Sequence, residues 1–119
     1  MNATAPLAPL KADDLPALVE ACVAAHDAAA RAQFIKDGSI DCGSCGGAML
    51  GYRANTRFAK AILAAGKGYA SDGKVFVTAH LPEGVASQHA EVPIQGLRAF
   101  MATAEAHGFS AAKFWTYTD

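Results

Sequence analysis

The chain has little of what usually betrays a function. Its 119 residues hold one tryptophan and three cysteines, and ten Lys and Arg face eleven Asp and Glu for a formal charge of -1. That balance excludes a globally basic nucleic-acid binder and leaves a local basic patch open. No apolar run approaches the roughly 18 residues that a membrane helix needs. The first ten residues have no basic stretch before an apolar core, so no secretory signal is expected. An odd cysteine count in such a chain points away from a disulfide framework and toward a reduced, cytoplasmic protein. Walker loop, nucleophile elbow and dinucleotide fingerprint are all missing.

What is present suits one domain of ordinary size. The apolar fraction is 52%. Much of it is alanine, which covers little area, so the core must lean on Leu, Val, Ile and aromatic side chains. Residues 1–12, with Pro6 and Pro9 among small residues, read as a flexible arm ahead of a single domain over 13–119. Asp13 or Asp14 caps a helix with Pro16 in its first turn. Leu15, Leu18, Val19, Cys22, Ala29, Ala30 and Phe34 recur at three and four, and Asp37-Gly38 stops the helix.

A glycine- and cysteine-rich seam follows and leads into a strand over 47–52. Asn55 or Thr56 caps a second helix through Ala65, with Phe58, Ile62 and either Ala65 or Leu63 inward. Asp72-Gly73 between two β-prone runs marks a two-residue hairpin turn. Residues 81–92 read as a long irregular connection. Pro93 then opens a third helix, whose apolar stripe is Leu97, Phe100, Met101 and Ala104 and whose end is His107-Gly108. Lys113 to Thr118 forms a last strand. The expected fold is therefore α+β: a long N-terminal helix, then strand-helix-hairpin-helix-strand. Its sheet is small and mostly antiparallel, with helices packed on one face.

Several constellations can carry chemistry. Cys42-Gly43-Ser44-Cys45-Gly46 has zinc-knuckle spacing, and Cys22 and His26 share a helix face at i and i+4. Together Cys22, His26, Cys42 and Cys45 would hold a zinc ion. The competing view makes Cys22 a small core residue and His26 the edge of the apolar stripe. Dithiol exchange at Cys42 and Cys45 is disfavoured, because Gly46-Gly47 does not open a helix. His89-Ala90-Glu91 matches half of a zinc-deaminase signature, but in reversed order, and reads better as a polar loop. Arg53, Arg57, Lys60, Lys67 and Lys74 fall in a segment with one acid, Asp72. Beside Tyr52 and Tyr69 they would form a nucleic-acid face; the plainer reading is a solvated helix face. Were the chain an enzyme, His80, His89 and Asp41 are the residues to inspect in a deep pocket, but no catalytic pair is recognisable.

Cys45-Gly46-Gly47-Ala48-Met49-Leu50, Asn55-Thr56-Arg57-Phe58-Ala59-Lys60 and Arg98-Ala99-Phe100 give a resemblance. The chain resembles small proteins of unassigned activity encoded by bacteriophages and prophages, over most of its length after Asp41. The resemblance implies a bacterial cytoplasm and a virus-side role. With no pair of groups poised for catalysis and a compact α+β fold that offers surfaces, the expected role is that of a non-enzymatic accessory protein that binds a host macromolecule, for instance to inhibit a defence or regulatory protein. The resemblance supplies no catalytic residues and no cofactor, and it lowers the weight of the zinc reading. A host protein is the expected partner, with nucleic acid as the alternative, no membrane, and a homodimer through strand edges as a further option.

Overall fold

The computed structural model describes residues 14–37, 46–78, 80–85 and 89–118. The N-terminal arm expected over 1–12 lies outside those residues, as does the seam that carries Cys42 and Cys45. In chain order the elements are α1 (Leu15–Asp37), β1 (Gly46–Arg53), α2 (Arg57–Ala64), β2 (Gly68–Ser71), β3 (Lys74–Val77), α3 (Glu91–Ala106) and β4 (Lys113–Thr118).

Local signals account for most of the boundaries. Asp14 caps α1, its carboxylate 3.3 Å from the Ala17 amide, as an Asp before the first turn does. Thr56 caps α2 by accepting from the Ala59 amide. Asp72 and Gly73 both have positive φ, 52° and 74°, the requirement of a type I′ hairpin turn. Gly108, at φ 91°, follows the α3 C-cap His107.

The sheet order is β2-β3-β1-β4, and every neighbouring pair is antiparallel. After α1 the chain reads β-α-β-β-α-β. β3 lies between β2 and β1, and β1 lies between β3 and β4, so two β-α-β units interleave. The α+β expectation holds, with its long opening helix.

Alternation on each strand divides the sheet into two faces. Ala48, Leu50 and Tyr52 of β1 and Val75 and Val77 of β3 join a core with Phe58 and Ile62 of α2, Leu97, Phe100 and Ala104 of α3, and Leu18, Val19 and Cys22 of α1. Tyr52 and Phe58 meet edge to face, ring centroids 4.9 Å apart, a favoured aromatic geometry. All three helices thus serve one face of the sheet.

Three expectations need correction. α3 begins at Glu91, two residues before Pro93, so the irregular connection is shorter and Val92 is fully buried. Pro93 still falls in the first turn, where its missing N–H leaves no bond unmade. In α2 the inner face is Phe58, Ala59 and Ile62, whereas Leu63 is 39% exposed. Tyr52, expected beside a basic face, is instead a core residue.

Candidate functional site: the uncovered face of the sheet

The other sheet face carries the alternate residues. In β1 these are Gly47, Met49, Gly51 and Arg53; in β3, Lys74 and Phe76; in β2, Tyr69 and Ser71; in β4, Lys113, Trp115 and Tyr117. The register arranges them in rows. Ser71, Lys74 and Arg53 form one row. Tyr69, Phe76, Gly51 and Lys113 form the next. Met49 with Trp115, then Gly47 with Tyr117, complete the face.

The rings make a continuous strip. Phe76 is nearly buried and serves as its keystone. Its centroid is 5.8 Å from Tyr69 and 6.1 Å from Trp115, the latter edge-on at 84°. Gly51 permits this, since a Cβ there would stand 2.9 Å from the Phe76 ring. Tyr69 and Tyr117 remain about half exposed, at 47% and 49%. The Lys113 ammonium sits 4.4 Å from the Trp115 ring centroid, a cation–π contact that marks the outward indole as an electron-rich surface.

Charge on this face has one sign. Arg53 and Lys74 are direct cross-strand partners, and like charges placed opposite one another cost stability. Among the described residues no carboxylate lies at an alternate position of this face or within ion-pair distance of either side chain. Arg53 and Lys74 also bound an open cleft of about 540 Å³ with Ala54, Asn55, Gly73 and Ala112. Lys67 continues the alternation beyond Gly68, its carbonyl accepting from the Thr78 amide at 2.9 Å.

The five cations singled out in sequence are therefore split. Arg53, Lys74 and Lys67 belong to the uncovered face. Arg57 and Lys60 stand on the solvent side of α2, in the helix layer. Sequence reasoning missed Lys113 and Trp115, although the alternation of Lys113, Trp115 and Tyr117 with Phe114 and Thr116 was available as a signal.

Of the four residues expected to hold zinc, Cys22 and His26 fall within the described residues, and Cys42 and Cys45 lie outside them. Cys22 is buried in the core, and burial pushes its thiol up to about 12. His26 is also buried, and its Nδ1 lies 2.9 Å from Asp27 Oδ1. His80 Nε2, on the connection after β3, approaches the same oxygen at 3.0 Å. The two imidazoles stack, centroids 4.9 Å apart and planes within 22°. Nδ1–H of His26 and Nε2–H of His80 can both donate to the one carboxylate oxygen. In the neutral form that burial favours, His26 Nε2 is a bare acceptor, buried with no hydrogen-bond partner among the described residues, against Gly96, where a Cβ would come within 2.8 Å of the ring.

Donor atoms of His26, Asp27 and His80 lie within 4.8 Å of one another, close enough to consider an ion. A shared ion must lie near the plane of both rings, which stacking opposes. It would also leave His26 Nε2–H as a buried donor with no acceptor, where ligating histidines ordinarily have one. The geometry fits a hydrogen-bonded clamp between α1 and the connection better than a metal centre. His89, the other histidine of interest, accepts from the Glu91 amide at 3.3 Å at the start of α3.

No family model, curated protein or solved structure matches the chain. Among the described residues no helix is long and apolar enough to cross a membrane.

Proposed function

We propose that the chain is a small non-enzymatic binding protein whose uncovered sheet face takes nucleic acid. The observation that carries this reading is the composition of that face: Arg53, Lys74 and Lys113 beside a strip of rings, with no acid among them. A polyanion with aromatic bases complements both features. The chain's net negative charge does not oppose it: Asp14, Glu20, Asp27, Glu91 and Glu105 belong to the helices or their flanks, and the acid nearest to the face in sequence is Asp72, in the turn between Ser71 and Lys74. The phage-type accessory role suggested by the sequence accommodates such a protein in a bacterial cytoplasm.

The test is anisotropy of a labelled oligonucleotide. Arg53→Glu combined with Lys74→Glu should abolish binding at moderate salt, whereas Arg57→Glu combined with Lys60→Glu should retain most of it. Binding indifferent to the first pair would contradict the reading.

A second reading is supported by the exposure of Tyr69, one row from Arg53, and of Tyr117 at the far end of the same face. Tyrosine and arginine are frequent anchors of protein interfaces, so the same face suits a host protein. A ligand whose binding falls with Tyr69→Ala but is insensitive to salt would favour that partner.

A further inference from the structure

We infer that the ligand of this face is a single strand of nucleic acid, its bases stacked on Trp115 and Tyr69 and its phosphates held by Arg53 and Lys74. This rests on the nucleic-acid reading and specifies the form of the ligand.

A duplex hides the faces of its bases and offers grooves that a protruding helix or ribbon must enter. Here the three helices pack on the opposite side of the sheet, and the alternate residues of the open face present rings. Among nucleic acids, exposed rings gain affinity from bases that are unstacked and free to lie on them. Phe76 holds the outer rings in place through its edge contact with Trp115 and its tilted contact with Tyr69.

The rows give the strand a course. Arg53 and Lys74 stand at one end beside the open cleft, and Tyr69, Trp115 and Tyr117 follow row by row. Lys113 covers the indole in the unbound protein. An arriving base displaces the ammonium from Trp115, and the freed cation can meet a phosphate. Three accessible rings suit two or three bases, the number a four-stranded sheet carries when its aromatic side chains stack RNA. Stacking favours no particular base, so the site should tolerate sequence.

Trp115 is the chain's single tryptophan, and its emission reports the event directly. Oligothymidylate should quench it saturably. A duplex of equal length should bind at least about tenfold more weakly and leave the emission unchanged. Tyr69 is an exposed residue of an edge strand, so Tyr69→Ala should keep the fold by circular dichroism. It should weaken oligothymidylate binding by roughly five- to a hundredfold, the range expected for one lost stack. Equal affinity for duplex and single strand without quenching would overturn the inference while sparing the nucleic-acid reading. Absence of binding to either form in the anisotropy assay would defeat both.

Discussion

Phe76 lies over Gly51, its direct partner across the β3–β1 ladder, so closely that a Cβ on Gly51 would stand 2.9 Å from Cε1 of the ring. The missing side chain lets Phe76 reach across β1 to Trp115. Gly51→Val should push the ring outward and separate the two aromatics. Urea denaturation should show a loss of about 1–3 kcal/mol, the usual cost of overpacking, offset only in part by valine's preference for strands. Trp115 emission should shift. Unchanged stability and emission would show that Phe76 is not wedged there.

Salt dependence follows from the cations on the uncovered face. A single strand neutralised at three phosphates should give a slope of log K against log salt near about -2, at roughly -0.7 per phosphate. Lys74→Ala should flatten the slope by about 0.7. The check is a salt series on both proteins, and a slope near zero would remove the phosphate contacts from the account.

The sequence made the fold legible where short-range chemistry dictates it. Asp72-Gly73, Thr56 and the α1 stripe each have a local cause, and each lies where expected. The start of α3 was obscured by Pro93, which is tolerated at several first-turn positions. The site was harder to read because its residues come from four strands whose order only the folded sheet sets. Tyr52 and Tyr69 look alike in sequence, yet alternation sends Tyr52 to the core and Tyr69 to the open face. His26 could be placed on the α1 stripe, but its meeting with His80 depends on tertiary packing.

Acid should loosen the protein through His26. Burial is the largest influence and lowers its pKa below 6.5; the bond to Asp27 raises it less, and the neighbouring His80 lowers it further. The folded protein therefore binds fewer protons here than the unfolded chain. The stabilisation is complete above about pH 6.5 and is lost as pH falls toward the depressed folded value. Denaturation midpoints measured at pH 7.5 and 5.5 should differ, and His26→Gln should reduce the difference. An equal pH response in the variant would assign the effect to other groups.

Cys22 should be inert in the folded state. Its thiol is fully buried and pushed up to about 12, so thiolate is scarce at neutral pH. Iodoacetamide followed by mass mapping should label Cys22 only after unfolding. Zinc content, measured on purified protein, should be the same in Cys22→Ala as in the parent. Native labelling of Cys22 would contradict its burial, and a fall in bound zinc would make it a ligand.

Amide shifts in a titration with oligothymidylate test the central claim most directly. The account predicts changes concentrated at Met49, Arg53, Lys74, Phe76, Lys113 and Trp115, with α1 and the outer side of α2 quiet. Changes confined to Arg57, Lys60 and the helix layer, or none at saturating oligonucleotide, would contradict it.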